Sequence, residues 1–295
     1  MAHVEANGIT EEYEESGSGD PLLLVMGLNG QLIDWPGGFV DALVAQEFRV
    51  IRFDNRDAGL STAYTSPPPS KWALAREAVH RGHLHPEYTL SDMANDAVGL
   101  LDALGIERAH IAGMSMGGMI AQCIAIEHPE RVLSLTSIMS TTGNPRVGRP
   151  TLKVLRHVAA NQPTSAEEAV EPAVELFRLI SGSTFSEEEF RVMAKASIAR
   201  SYRPDGMGRQ LAAIMSAPDR TPALRKLNVP TLVIHGTLDP LVRPSGGIAT
   251  AKAVPNSRLL MFNDMGHDLP HTRWHEMAEA IRQNANRAAT PTVVE

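Results

Sequence analysis

Ala109-His110-Ile111-Ala112-Gly113-Met114-Ser115-Met116-Gly117-Gly118-Met119-Ile120 decides the reading of this chain. Ala109 to Met114 is an apolar run short enough for a strand buried on both faces. It enters a glycine-flanked serine, and a helical pattern follows from Met116 to Glu127, stopped by His128-Pro129. A serine on so tight a strand-to-helix turn takes up strained backbone angles. Gly113 and Gly117, two residues either side of it, must lack side chains so that strand and helix can approach, and Gly118 clears further space. The Ser115 hydroxyl then projects at the carboxyl end of a sheet, over helical N–H groups that favour negative charge.

Outward from this turn the same alternation repeats. Leu22–Met26, Phe48–Phe53, Val132–Met139, Pro230–His235 and Arg258–Phe262 read as strands. Phe39–Ala45, Pro244–Val254 and His271–Arg287 read as helices. Thr89-Leu90-Ser91-Asp92 is a capping box opening a helix that carries Met93, Ala97, Leu100, Leu101 and Leu104 and ends at Gly105. Short apolar strands alternating with amphipathic helices predict an α/β fold with a mostly parallel sheet covered on both faces. Asn7-Gly8 joins Val4–Ala6 to Ile9–Glu15 as a hairpin, and the polar second arm suits an edge pair. Between residues 143 and 222 the alternation stops. Only helical segments appear there, among them Ala169–Ile180 and Glu187–Arg200. The expected organisation is a core of residues 1–142 and 223–287, a helical cap of residues 143–222, and a frayed tail over residues 288–295.

The 295 residues carry a formal charge of −7, with no run of five Lys or Arg, which argues against nucleic acid as a partner. No stretch nears 18 consecutive apolar residues, so no transmembrane segment is expected, and peripheral lipid contact stays open. The acidic start, without an apolar signal region, predicts a cytoplasmic protein. One cysteine, Cys123, excludes an intramolecular disulfide, and its place on the helix after Ser115 suggests a small buried residue. His80, His83 and His85 lack the acidic or cysteine partners of a zinc site, so neither metal nor other cofactor is expected. Met is frequent, at 13 residues against 7 Phe, 4 Tyr and 3 Trp. Met26, Met114, Met116, Met139 and Met265 fall close to the loops discussed next, where an adaptable apolar wall would suit bulky acyl groups.

A serine becomes nucleophilic near neutral pH only with a general base, and the base needs an orienting acid. His267 sits in a loop between the last strand and the last helix, at the sheet edge that carries Ser115; His271 is the fallback. Asp239 follows the strand Pro230–His235 and can receive the Nδ1–H of His267. Asp264 and Asp268 lie in the loop of His267 itself, and Ser140-Thr141-Thr142 offers no acid. Two donors must meet the developing oxyanion. The Met116 N–H is one, and the Leu28 N–H, between Gly27 and Gly30, is the other. Gly27, Asn29, Met114, Met139 and Leu241 are the expected substrate contacts.

Met26-Gly27-Leu28, Asp54-Asn55-Arg56-Asp57-Ala58-Gly59-Leu60-Ser61, the Ser115 turn, His235 to Pro240 and Gly266-His267 together resemble the α/β-hydrolase superfamily of serine hydrolases, from about Val4 to Arg287. Members often have His-Gly where this chain has Met26-Gly27, and Gly where Asp57 stands. The form found here is similar to the aclacinomycin methylesterase group and related bacterial lipases and esterases. The resemblance implies metal-free ester hydrolysis under a helical cap. The expected substrate is a small-molecule ester with an apolar or medium-to-long acyl group. Thioesterase, phospholipase, perhydrolase and carbon–carbon hydrolase activities, and a receptor that retains the triad, are the alternatives. Oligomeric state is not legible.

Overall fold

A computed structural model describes residues 1–160, 163 and 165–289. Among these, eight strands form one sheet: β1 (Ala2–Ala6), β2 (Ile9–Ser16), β3 (Asp20–Val25), β4 (Phe48–Phe53), β5 (Ala109–Met114), β6 (Val132–Ile138), β7 (Thr231–Gly236) and β8 (Arg258–Phe262). Their order is β1-β2-β4-β3-β5-β6-β7-β8. β2 runs antiparallel to β1 and β4, and every other pair is parallel. Parallel pairing explains the continuous apolar runs, because both faces must be covered. Along β3, Leu22 and Leu24 enter one buried cluster while Leu23 and Val25 enter the other. This is the two-residue alternation of a strand.

The helices are α1 (Gly37–Ala45), α2 (Lys71–Val79), α3 (Leu90–Ala103), α4 (Met116–Glu127), α5 (Leu152–Ala160), α6 (Ala166–Ile180), α7 (Glu187–Arg200), α8 (Pro204–Ser216), α9 (Thr221–Leu224), α10 (Ser245–Ala253) and α11 (Trp274–Ala289). α3 and α4 cover one face through Met93, Leu100, Ile120 and Ile124. α1 and α11 cover the other through Phe39, Leu43, Met277 and Ile281. The capping box at Thr89 forms as expected: Thr89 Oγ1 accepts the Asp92 N–H, and Asp92 accepts the Thr89 N–H at 2.7 Å. Between β6 and β7 the described residues form α5 to α9 and no strand. Phe177 of α6 and Phe190 of α7 stack there with centroids 4.1 Å apart. No described helix is long and apolar enough to cross a membrane.

The structure changes or adds to the sequence reading at three places. The hairpin lies at one end of the sheet, but β2 is not a solvated arm. It sits between β1 and β4, with Glu11 and Glu12 buried. Burial and the nearby Asp96 push the Glu11 carboxyl well above its usual range, with Arg56 pulling the other way. The second change is α2. It leaves Trp72 87% exposed and buries only Glu77, so it carries no core-facing period for a sequence reading to catch. Finally, the tail expected to fray from Ala288 begins as helix through Ala289; residues 290–295 lie outside the described residues.

Candidate active site

The parallel strands end on one edge, and the loops that leave them there carry the expected residues. Ser115 has φ 55° and ψ −119°, a backbone conformation that L residues rarely adopt. The turn is held from every side. The Ser115 N–H donates to the Ile138 carbonyl at 2.9 Å, and the Ser115 carbonyl accepts from the Ser140 hydroxyl at 2.7 Å and from the Gly118 N–H at 3.1 Å. A Cβ built at Gly113 would run into the Gly117 carbonyl, and one at Gly117 into the carbonyls of Val25 and Met26. The glycines are therefore steric requirements of the approach between β3, β5 and α4.

His267 Nε2 lies 2.9 Å from Ser115 Oγ, and His267 Nδ1 lies 2.7 Å from Asp239 Oδ2. The other Asp239 oxygen accepts the N–H groups of Leu241 and Val242 at 2.9 and 2.8 Å, which fixes the carboxylate plane. Burial alone would raise the Asp239 carboxyl. The His267 imidazole and hydrogen bonds with His235 and His267 outweigh it and hold the group at about 2. Asp239 is therefore an anion throughout the neutral range, aimed at the imidazole. His271 is exposed and lies edge-on to Trp274. Asp264 pairs with Arg273, and Asp268 accepts the N–H groups of Gly182 and Gly266. None of these three competes for the relay.

Gly27 brings the loop after β3 against the serine: a Cβ there would lie 3.3 Å from Ser115 Cβ. Among the described residues, neither the Leu28 N–H nor the Met116 N–H meets a hydrogen-bond acceptor. Met116 is the first residue of α4, where helix geometry leaves N–H groups unsatisfied.

The remaining expected contacts divide. Gly27 abuts Ser115, and Leu241 holds Asp239 through its N–H. Asn29 is exposed, and its backbone N–H is taken by Gln210 at 2.8 Å. Most of the methionines near the serine are buried. Met26, Met139 and Met265 are buried in the cluster under α1 and α11, and Met116 and Met119 in the cluster under α3 and α4. Met114 packs half-buried against the first of these clusters. Cys123 is buried as expected, and burial pushes its thiol up to about 11.

Sequence reasoning missed the residues that tie α6, α7 and α8 to the loops after β4 and β8. The His267 N–H donates to the Ile180 carbonyl at the end of α6, at 2.7 Å. Gly182 and Gly266 allow that approach, since a Cβ at either would strike the opposite backbone. Asp54, fully buried after β4, accepts from the Leu32 and Leu60 N–H groups and from Arg200 of α7 at 2.6, 2.8 and 2.7 Å. Asp57 takes a bidentate pair from Arg209 of α8 at 2.7 and 2.8 Å, and the Tyr88 hydroxyl at 2.7 Å. Burial would raise Asp57, but these hydrogen bonds lower it below the usual carboxylate range. The signal available in the sequence was the acidic pair itself, in the Asp54–Ser61 stretch that carries part of the family resemblance.

A family model described as the alpha/beta hydrolase fold matches residues 20–273. The rhodomycin D methylesterase DauP of Streptomyces sp. (strain C5) is 31% identical over 293 residues, covering 92% of this chain and 92% of that protein. The 2-hydroxymuconate semialdehyde hydrolase of Pseudomonas sp. (strain CF600) is 29% identical over 287 residues, covering 94% of this chain and 88% of that protein. Among solved structures, a thermophilic esterase from Thermogutta terrifontis has a TM-score of 0.73 at 25% identity, covering 98% of this chain and 100% of that one. The sheet order, the serine turn between β5 and α4, and a family match spanning most of the sequence agree: this chain belongs to the α/β-hydrolase-fold family.

Proposed function

We propose that the chain hydrolyses carboxylic esters of small organic molecules through an acyl-enzyme on Ser115. The reading rests on one observation, the unbroken relay from Ser115 Oγ through His267 to Asp239, at 2.9 and 2.7 Å. Nδ1–H donates to the Asp239 carboxylate, which leaves the Nε2 lone pair for the serine proton. Ser115 Oγ attacks the ester carbonyl as its proton passes to Nε2. The Leu28 and Met116 N–H groups receive the oxyanion. His267 then protonates the leaving alcohol, and water, deprotonated by the same nitrogen, releases the acid. The ionised Asp239 stabilises the imidazolium in both halves of the cycle.

The likeness to a methylesterase over nearly the full length supports an ester as substrate. α5 to α9 are read as the cap, whose apolar side chains, rather than the buried methionines, would contact the acyl group. Carbon–carbon bond hydrolysis is the second reading, supported by the 29% identity to the semialdehyde hydrolase. A fluorophosphonate probe and a chain-length panel of p-nitrophenyl esters test the first. Labelling mapped to Ser115 with multiple turnover is expected, and Ser115→Ala should be silent. Ester turnover by Ser115→Ala would overturn the assignment. Labelling at Ser115 without ester turnover, together with cleavage of a 2-hydroxy-6-oxo-dienoate, would favour the second reading.

A further inference from the structure

The loop from Asp54 to Ser61 does more than receive cap arginines. Asn55 Nδ2 donates to the Met26 carbonyl at 3.0 Å, holding the oxyanion loop where it leaves β3. On the far side of Leu28, Gln210 of α8 takes over. Its Oε1 accepts the Asn29 N–H at 2.8 Å, and its Nε2 donates to the Arg56 carbonyl at 2.8 Å. Gln210 is fully buried and both ends of its amide are used. Asn29 has φ 59°, a conformation that an L residue adopts at a cost and that needs support from outside. The Gly30 N–H closes the turn onto the Gly27 carbonyl at 3.2 Å. Of three consecutive N–H groups, those of Asn29 and Gly30 are thus tied down and that of Leu28 is left over.

We infer that Gln210 is a positioning residue for the oxyanion loop: it fixes the Leu28–Asn29 segment so that the Leu28 N–H faces the carbonyl oxygen of a substrate on Ser115. The inference rests on the ester-hydrolase reading above. Gln210 cannot drift, because its neighbour Arg209 is anchored by two hydrogen bonds to the buried Asp57. The cap helix therefore acts on the reaction through backbone geometry, without touching the reacting atoms. Donors to an oxyanion lose their effect steeply with displacement, and an error of about 1 Å can slow a reaction about 100-fold.

The test uses the full chain and p-nitrophenyl butyrate, with rates normalised to sites titrated by a fluorophosphonate. A trifluoromethyl ketone serves as the oxyanion mimic. Gln210→Met should lower kcat at least about 30-fold with KM nearly unchanged, and ketone affinity should fall by the same factor. Gln210→Ala, which suits the helix and adds no bulk, carries the same expectation should the first variant not fold. Arg203→Met breaks a different cap contact, to the Ser61 carbonyl at 2.5 Å, and should lower the melting temperature while sparing kcat and ketone affinity. Unchanged kcat in Gln210→Met and Gln210→Ala, or a fall in kcat without a fall in ketone affinity, would each overturn the inference. Turnover by Ser115→Ala would instead overturn the ester reading. A silent Ser115→Ala beside a fast Gln210→Met would sink only the role of Gln210.

Discussion

His110 lies on β5, five residues before Ser115, and it gives the fold an acid-labile point. Its ring is buried edge-on to Phe48, with centroids 5.7 Å apart, and its Nδ1 lies 2.8 Å from Ser134 Oγ on β6. Burial pushes the imidazole down to about 4; Arg282 and Arg108 reinforce the shift and Asp20 opposes it. In the unfolded chain the same group titrates near its ordinary 6.5. Below that value the unfolded chain binds a proton that the folded chain refuses, so acid favours unfolding. The gap is roughly 2.5 units, and at about 1.4 kcal/mol per unit it is worth about 3 kcal/mol. That stability is fully present above pH 6.5 and is lost as pH falls to 4. The wild-type curve alone does not isolate it. Asp34, raised to about 6 chiefly by burial, loses its own contribution as pH rises through the same range, with the opposite sign. The measurement is therefore a difference. Urea unfolding of wild type and His110→Gln, followed by far-ultraviolet circular dichroism, is compared from pH 7 to pH 4.5. The wild type should lose about 1 kcal/mol more per pH unit between pH 6 and 4.5 than the variant. Parallel curves would refute the argument, because they would mean that the buried ring takes up its proton in the native state.

Other consequences follow from the same contacts. Gly117→Ala drives a Cβ into the carbonyls of Val25 and Met26 and should cost about 3 kcal/mol in a urea melt, whereas Gly8→Ala, with nothing within 4 Å of the added Cβ, should cost about 1. Equal losses would show that the Ser115 turn adjusts freely. Arg209→Met leaves the buried Asp57 without its bidentate partner and should cost about 3 to 5 kcal/mol, most of it recovered when Asp57→Asn is added; a loss under 1 kcal/mol would contradict a pair that anchors α8. Asp239→Asn keeps the shape of the side chain but removes the anion facing Nδ1. Ester kcat at pH 7 should fall about 10⁴-fold, and a loss below tenfold would remove Asp239 from the relay.

These perturbations differ in how visible their sites are in the sequence. The Ser115 turn is legible because its constraints are local. Gly113 and Gly117 are demanded by atoms within a few residues or on the neighbouring strand. The methionines are not legible in the same way. Met114 and Met116 flank the serine in sequence, yet Met116 opens α4 with its side chain in the core under α3 and α4. A one-residue step reverses the direction of a strand side chain, and the switch from strand to helix at Ser115 breaks even that rule. Arg200, Arg209 and Gln210 are more hidden still. Nothing near them in sequence shows their partners: the carboxylates of Asp54 and Asp57 for the two arginines, and the backbone of Asn29 and Arg56 for Gln210.

Three of the buried carboxylates show what local sequence leaves undecided and topology then decides. Asp54, Asp57 and Asp239 all follow strands that end on the same edge, and each sits in a turn-forming context. Nothing in their neighbours says which should face an imidazole and which a guanidinium. The sheet order does. Four strands, β3, β5, β6 and β7, separate β4 from β8, so Asp54 and Asp57 lie on the far side of Ser115 from His267. β7 adjoins β8, with Gly236 in register with Phe262, and this brings Asp239 within 2.7 Å of His267. The acids after β4 are left under the descending helices α7 and α8, where burial without a cation would be costly, and Arg200 and Arg209 meet them. One residue type thus faces an imidazole at one end of the sheet and the guanidinium groups of α7 and α8 at the other. The attachment residues lie next to the oxyanion loop because β4 adjoins β3. The same strand order that gives His267 its carboxylate therefore places Gln210 of α8 within 2.8 Å of the Asn29 N–H.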